Sequence, residues 1–282
     1  MPSVSESLLK ATEILKNSGL AEARRDAASL LGYSLCRDRA YLIAHSDRIL
    51  TEEENSRFLR LVERRASREP LQYITGKQEF YELEFTVTPD VLIPRPETEL
   101  IVENAIEFLR GRDEPRFCEV GVGSGCIAVS VLHNSSHAFA LGLDISAKAL
   151  AVARKNAEKH GVSARLTLVQ LDVFSVLKGG DFDLIVSNPP YIPAADIEKL
   201  QSEVRDHEPL NALTDGADGL SLIRRIVAES PAHLKPGGQL LMEIGYSQSE
   251  AVEALFDRTV WPELDIIPDL QGIPRMVKGI AG

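Results

Sequence analysis

The chain has 282 residues, which is enough for one large domain or two unequal ones. Its 44% hydrophobic and 26% charged residues are typical of a globular protein and exclude a disordered or collagen-like chain. No apolar run approaches the roughly 18 residues of a membrane span, and the first residues show no signal-peptide pattern, so we expect no association with a membrane.

The charge distribution indicates two modules. Residues 1–75 hold 12 Lys and Arg against 11 Asp and Glu, whereas the remainder holds 19 against 31. The first part therefore carries a net charge of +1 and the second a net charge of −12. The total of −11 also argues against direct binding to nucleic acid, because phosphate contacts require a basic face.

Three cysteines, Cys36, Cys118 and Cys126, are too few for a disulfide scaffold. Their spacing fits no known set of metal ligands, so we expect no metal site. Unpaired cysteines are typical of a reducing compartment, which predicts a cytoplasmic protein.

Residues 3–68 show helical periodicity and no strand pattern. Three helices are predicted, near residues 5–18, 21–36 and 51–68, the last beginning with Thr51 as N-cap ahead of three acidic residues. The second half of this third helix carries Arg60, Arg64, Arg65 and Arg68. They form either a solvated helix face or a contact surface for a larger partner.

A change of period marks residues 71–93. Tyr81 to Val87 alternates polar and apolar residues, and a turn at Pro89–Asp90 precedes the apolar residues 91–93, which predicts a short hairpin. Pro96 and the acidic residues after it, Glu97 and Glu99, predict the start of the next helix.

From residue 116 onward, apolar runs alternate with helical patterns. This order predicts a mostly parallel sheet covered by helices on both faces, the α/β class. Seven strands are expected, at residues 117–120, 138–143, 166–169, 184–186, 239–244, 264–267 and 276–280.

A glycine-rich loop, Glu119–Gly125, follows the first of these strands and opens a helix. Asp144 ends the second strand, where a carboxylate can accept hydrogen bonds from a ribose diol. The dinucleotide fingerprint G-x-G-x-x-G is not met, because Cys126 occupies its third glycine position. The acid-x-G-x-G-x-G pattern instead resembles the S-adenosylmethionine motif of class I methyltransferases, and the alternative is a glycine turn with a helix-capping aspartate.

The segment Asn188–Tyr191, Asn-Pro-Pro-Tyr, follows the fourth strand, at the edge of the sheet where ligands bind in such folds. The prolines fix two φ angles and remove two N–H donors, so carbonyl oxygens are left free to accept. The Asn188 side chain adds an acceptor and Tyr191 an aromatic ring. Two acceptors beside a flat ring suit a planar NH₂ group, and the alternative is a structural turn.

These motifs together resemble the bacterial peptide-chain release factor glutamine methyltransferases, over nearly the whole chain. Asn188–Tyr191 alone is similar to the loop of methyltransferases that act on amino groups conjugated to a planar system. The segments that carry the resemblance are 93–100, 119–125, 144–157, 187–193 and 215–220.

The resemblance implies a role for each matching residue. The loop formed by Gly121, Val122, Gly123, Ser124 and Gly125 would hold the methionine part of S-adenosylmethionine, and Asp144 the ribose hydroxyls. Val173 lies where the family flanks the adenine, often with an aromatic residue, so apolar contact is kept and stacking is lost. Asn188 would contact both cofactor and substrate amide, and Pro189, Pro190 and Tyr191 the substrate; Asn188, Pro189 and Tyr191 are the catalytic candidates.

The implied fold is a Rossmann-like class I methyltransferase sheet with a small helical domain before it. We expect a helical substrate-recognition domain at 1–75, a β-hairpin linker at 76–95 and the methyltransferase domain at 96–282. The implied substrate is the glutamine of the Gly-Gly-Gln loop of release factors, methylated on its side-chain nitrogen, with S-adenosylhomocysteine as the other product. We expect the enzyme to be a monomer.

Positioning rather than acid–base catalysis is expected, because the sequence offers no well-placed general base. His160 and His207 are interpreted as solvent-facing or capping residues, and Glu97 and Glu99 as either pocket or helix-start residues. Three rivals stay open at this point. They are a glutamine methyltransferase of a ribosomal protein, an amino methyltransferase of adenine or guanine in nucleic acid, and a non-catalytic nucleotide-binding module.

Overall fold

The computed structural model describes residues 1–177, 179 and 181–282, which separate into two units. The first unit comprises residues 1–77 and 201–207, and the second comprises residues 78–200 and 208–282. The division places 201–207 in the first unit, although the predicted boundaries assign this segment to the methyltransferase domain. Within the described parts of the chain, every helix falls short of the length or apolar content needed to cross a membrane.

The first unit is helical. Its helices are α1 (Val4–Asn17), α2 (Ala23–Leu35), α3 (Arg39–Ala44), α4 (Glu52–Ala66), α5 (Leu71–Thr75) and, from the later segment, α9 (Ser202–Arg205). Capping boxes begin α1 and α4, because Ser3 and Thr51 each exchange hydrogen bonds with a glutamate three residues on. The sequence did not predict α3 and α5, which are too short, at six and five residues, to show a periodic pattern.

The arginines of α4 do not form one solvated face. The Arg65 guanidinium is almost buried and donates to Asp26 Oδ2 at 2.8 Å, and Arg68 pairs with Glu203 at 3.1 Å. The Asp26 side chain is 8% exposed, so this pair belongs to the packed interior of the unit. Arg60 stays exposed. Interpreting all four arginines as a solvated face is therefore wrong for Arg65.

The hairpin lies earlier in the chain than predicted. Its strands are β1 (Lys77–Phe80) and β2 (Leu83–Thr86), so the turn falls at Tyr81 and Glu82 rather than at Pro89–Asp90. Both turn residues have positive φ, 47° and 61°. Such turns usually carry Gly, Asn or Asp, so the sequence holds no signal for this one.

The second unit is built on a seven-stranded sheet, as predicted. Its strands are β3 (Arg116–Val120), β4 (Phe139–Asp144), β5 (Leu166–Gln170), β6 (Phe182–Ser187), β7 (Leu234–Glu243), β8 (Glu263–Pro268) and β9 (Pro274–Ile280). Their order in the sheet is β5-β4-β3-β6-β7-β9-β8, and β3 to β7 pair in parallel. β9 runs antiparallel to both of its neighbours.

Helices cover both faces of this sheet, which confirms the α/β prediction. The helices of the unit are α6 (Glu99–Leu109), α7 (Cys126–Asn134), α8 (Ala147–Lys159), α10 (Leu210–Leu213), α11 (Ser221–Glu229) and α12 (Ser249–Glu253). Side chains of α6, α7 and α8 pack on one face together with Phe117, and those of α11 and α12 pack on the other together with Cys118. Short 3₁₀ helices lie at Pro96–Thr98, Ser163–Arg165, Ala194–Lys199 and Ser230–Ala232.

The strand order reverses at β3, which pairs with β4 on one side and with β6 on the other. Val120 is in register with Leu143 of β4 and with Ser187 of β6, so the three strands end together. Segments that follow these strands therefore meet at one edge of the sheet, at the switch point where open α/β sheets bind ligands.

Candidate active site

The glycine-rich loop turns sharply away from β3. Gly121 and Gly125 have φ of 77° and 81°, in the left-handed region that glycine adopts without strain. A Cβ on Gly125 would lie 3.2 Å from the Cβ of Ala153, so glycine here also lets α7 pack closely on α8. The carbonyl of Leu143 accepts the N–H of Gly121 at 2.8 Å, which ties the loop to β4.

Asp144 holds this loop through its side chain. Its Oδ2 accepts the N–H of Gly123 at 2.9 Å, and its Oδ1 accepts the N–H of Ser146 at 2.8 Å. A carboxylate offers about four lone-pair sites, so two remain for further donors. Burial raises the pKa of Asp144, and the backbone donors oppose that rise.

Glu119, the acid that precedes the glycines, is buried beneath the loop. Its Oε2 accepts the N–H of Ala128 at 2.8 Å, near the start of α7. Burial raises the pKa of Glu119 well above its usual value. The carboxyl group therefore supports the helix that the loop opens.

A cavity of about 420 Å³ lies at this edge of the sheet. Its volume falls in the range of small-molecule sites. Eight of the predicted site residues line it: Gly121, Val122, Gly123, Ser124, Asp144, Val173, Asn188 and Pro190. Gly125, Pro189 and Tyr191 are not among its lining residues.

Val173 and Arg225 are both among the residues that line the cavity. Val173 is buried with φ of 52°, which is strained for a β-branched residue. Arg225 of α11 donates to both oxygens of Asp172, at 2.9 and 3.1 Å. Both partners of this ion pair are lining residues of the cavity.

Asn188 is held by two residues that the sequence analysis did not single out. Its Nδ2 donates to Thr98 Oγ1 at 3.0 Å, and Thr98 Oγ1 donates to Glu243 Oε2 at 2.6 Å. Glu243 ends β7 and Thr98 precedes α6, so only the fold brings them together. The available signal was a carboxylate at the end of an otherwise apolar strand.

The Tyr191 ring is largely buried, and its hydroxyl donates to Glu243 Oε1 at 3.1 Å. The carbonyl of Tyr191 accepts the side-chain N–H of Gln248 at 2.9 Å. Gly219 approaches from the other side, where a Cβ would lie 2.2 Å from that carbonyl oxygen. The end of the Asn-Pro-Pro-Tyr loop is therefore fixed by three separate segments.

The motif at residues 215–220 supports this approach of Gly219. The Asp215 carboxylate accepts the N–H groups of Ala217, Gly219 and Ser221 at 2.7 to 3.0 Å. Burial acts to raise the pKa of Asp215, but these donors hold it below its usual value. The ionised carboxylate thus shapes the turn that packs against the loop.

The remaining candidates have structural partners. Glu208 is buried and accepts hydrogen bonds from the Ile93 N–H, at 3.2 Å, and from the Arg95 guanidinium, so it anchors a segment of the cavity wall. Glu99 Oε1 accepts the Tyr81 N–H at 2.9 Å, and Glu97 is exposed. His160 contacts the Glu84 carbonyl. None of these described contacts pairs a nucleophile with a general base.

The fold and this site define a class I methyltransferase. Two family models match the chain, one described as PrmC N-terminal domain over residues 6–76 and one as Methyltransferase small domain over residues 98–203. Among solved structures, a methyltransferase from Pyrococcus furiosus superposes with a TM-score of 0.52 at 17% identity, covering 71% of this chain and 89% of that one. A human methyltransferase 10 domain containing protein gives 0.51 at 16% identity, covering 72% and 89%. These likenesses concern the fold alone.

Relatives that match over most of their length identify the family more specifically. The release factor glutamine methyltransferase of Geobacter sulfurreducens is 47% identical over 268 residues, covering 95% of this chain and 93% of that one. Its counterpart in Koribacter versatilis is 42% identical, covering 91% and 90%. The chain belongs to the release factor glutamine methyltransferase family.

Proposed function

We propose that this protein transfers a methyl group from S-adenosylmethionine to the side-chain amide nitrogen of the glutamine in the Gly-Gly-Gln loop of peptide chain release factors. The observation that carries the proposal is the orientation of Asn188. Its NH₂ group is engaged by Thr98, so its carbonyl oxygen is left to accept a hydrogen bond at the cavity. The family membership supports this substrate over a ribosomal protein or a nucleobase.

The residues of the cavity fit the cofactor. Asp144 has lone pairs left for a ribose diol, Val173 offers an apolar wall for adenine, and Gly121 and Gly123 let the loop backbone come close to a ligand. S-adenosylmethionine supplies an activated methyl group on a sulfonium. The fit therefore rests on the chemistry of the lining residues and on the cavity volume.

The chain itself acts by positioning. The Asn188 oxygen accepts one amide hydrogen of the substrate, and a carbonyl of the proline pair accepts the other. Both hydrogen bonds strengthen as the nitrogen becomes positive during transfer, so they stabilise the transition state more than the ground state. The hydroxyl of Tyr191 binds Glu243, so this side chain supports the end of the loop as well as offering a ring to the substrate.

Transfer of labelled methyl to purified release factor tests the proposal. Label should appear on wild-type release factor and be absent from a factor whose Gly-Gly-Gln glutamine is replaced by alanine. A ribosomal protein and tRNA, assayed alongside, represent the rival substrates. Label on either of these with none on release factor would overturn the proposal.

The first unit is proposed to recognise the release factor outside its loop. A glutamine inside a folded protein must be presented by contacts beyond those with the Asn188–Tyr191 loop. Residues 1–75 contain no cofactor motif, so they are free to supply such contacts. Intact release factor should then be methylated with kcat/KM at least about 100-fold higher than a short Gly-Gly-Gln peptide, which corresponds to about 2.7 kcal/mol of added contact energy. Equal kcat/KM values for the two substrates would argue against a second contact.

A further inference from the structure

A buried carboxylate is linked to both ends of the Asn-Pro-Pro-Tyr loop, to one end directly and to the other through Thr98. Glu243 is 3% exposed, and each of its oxygens accepts one hydrogen bond. Oε2 is reached by Thr98, which in turn binds Asn188 at the start of the loop, and Oε1 is reached by the hydroxyl of Tyr191 at its end. These bonds span 2.6 to 3.1 Å.

The ionised carboxylate sets the direction of every proton in this chain of bonds. An ionised Glu243 can only accept, so Thr98 must give its single hydroxyl proton to it. Thr98 can then only accept from Asn188, and an accepting partner must face the NH₂ end of the Asn188 amide. The Asn188 carbonyl oxygen is left for the substrate.

We propose that Glu243 is a positioning residue, which acts through Thr98 to orient the Asn188 amide and through Tyr191 to hold the loop. This inference rests on the proposed function, because an amide-holding Asn188 is what the orientation serves. Neither Glu243 nor Thr98 contacts the transferred methyl in this scheme. Their effect is on the geometry in which the substrate nitrogen is held.

Protonation of Glu243 should reverse the donor and acceptor roles along these hydrogen bonds. A carboxylic acid donates to Thr98, Thr98 then donates to Asn188, and the amide turns its NH₂ group toward the substrate, where an acceptor is needed. Burial raises the pKa of Glu243, while hydrogen bonds from Thr98 and Tyr191 oppose the rise. The charged or titratable groups that face it are Tyr191, Glu97, Arg275 and Cys126. The ionised form is the active one, so turnover should fall as pH drops through this pKa.

Isosteric variants test whether Glu243 orients Asn188 through Thr98. Thr98→Val removes the hydroxyl at constant shape, and Glu243→Gln removes the charge; each should lower kcat by about 10–100-fold, as loss of an outer orienting partner does. KM for release factor and the Kd for S-adenosylhomocysteine should stay within about threefold, because Asp144 and the glycine-rich loop are untouched. Thr98→Ser should restore most of the loss seen in Thr98→Val. Glu263→Gln, on an exposed residue of β8, is the matched control.

Two further measurements separate positioning from mere support. The acidic limb of the kcat profile should disappear in Glu243→Gln. The side-chain NH₂ signal of Asn188 in ¹⁵N-labelled protein, assigned by its loss in Asn188→Asp, should move with pH in the wild type and stay constant in Glu243→Gln. This signal needs no substrate.

The outcomes distinguish the two proposals. An active wild type with unchanged kcat in folded Thr98→Val and Glu243→Gln refutes the positioning role and leaves the proposed function standing. A wild type that transfers no methyl to release factor refutes the proposed function. In that case, an Asn188 NH₂ signal that is unchanged by Thr98→Val, by Glu243→Gln and by pH also refutes the orientation of Asn188 by Glu243. A signal that changes with them supports this orientation.

Discussion

The side-chain amide of Asn156 donates a 2.9 Å hydrogen bond to the carbonyl oxygen of Ser124, inside the glycine-rich loop. The same fully buried side chain exchanges hydrogen bonds of 2.8 and 2.9 Å with the backbone of Thr86, in β2. One residue of α8 therefore ties the hairpin to the loop that borders the cavity.

Asn156→Ala should destabilise the protein, because three backbone groups lose their buried partner. A loss of about 2–4 kcal/mol in the free energy of unfolding is expected, measured by urea denaturation. Affinity for S-adenosylhomocysteine should fall as well, since the loop is no longer held. Asn134→Ala is the control, because among the described residues the side chain of Asn134 bonds to Ser130 of its own helix. Equal stability of the two variants would contradict the role.

Asp144→Ala should weaken binding of S-adenosylhomocysteine. The variant loses a charge-assisted acceptor for the ribose, worth about 1.5–3 kcal/mol, or about 10–150-fold in Kd. Asp144→Asn should bind better than Asp144→Ala, because its amide oxygen can still accept. Titration calorimetry measures both, and an unchanged Kd in Asp144→Ala would remove this residue from the ribose site.

Val173→Phe should tighten cofactor binding, because it adds the stacking ring that this chain lacks at the proposed adenine wall. The gain expected from stacking is about 0.5–1.5 kcal/mol, or about 2–12-fold in Kd. Val176→Phe, on a side chain 75% exposed three residues later, should leave the Kd unchanged. If both variants bind like the wild type, adenine does not lie against Val173.

Asn188→Ala should lower kcat by about 10²–10³-fold, by analogy with the removal of one preorganised polar contact. The Kd for S-adenosylhomocysteine should change much less, since Asp144 remains. Single-turnover methylation of release factor at saturating enzyme measures the chemical step. Near wild-type turnover would reduce the Asn-Pro-Pro-Tyr segment to a rigid turn.

Arg65→Met should destabilise the first unit, because Asp26 is left buried without its partner. A cost of about 3–5 kcal/mol is expected for breaking such a pair. Arg60→Met, on an exposed side chain of the same helix, should cost less than about 0.5 kcal/mol. Hydrogen exchange of α2 and α4 amides reports the opening free energy of this unit alone. Similar exchange in both variants would show that the Asp26 pair adds nothing.

Much of the second unit was readable from local patterns. Apolar runs of strand length between helical segments predicted seven strands on two covered faces, and the structure has them. The carboxyl ends of parallel strands share one edge, so strand order alone predicts that the loop at 121–125, Asp144 and Asn188 lie together. These features depend on periodicity and chain order, which the sequence carries directly.

The failures concern the short helices α3 and α5, one turn and the partners of buried side chains. The hairpin turn at Tyr81–Glu82 was not predicted, because its positive φ angles occur in residues that rarely adopt them. For Arg65 the sequence left a solvated face and a contact surface for a larger partner open, because helical periodicity cannot show which neighbouring helix covers a side chain. Its partner Asp26 lies 39 positions earlier.

Sequence alone determined the class of sheet, the position of the glycine-rich loop and the family to which the chain is similar, because these follow from short contiguous motifs. Only the tertiary structure decided how Asn188 is oriented and that the hydroxyl of Tyr191 binds Glu243. Thr98 lies 90 positions from Asn188 and 145 from Glu243, and neither local propensity nor spacing relates them. The physical reason is that a buried hydrogen bond depends on which groups the packed strands bring within 3 Å, and that is settled by the whole fold.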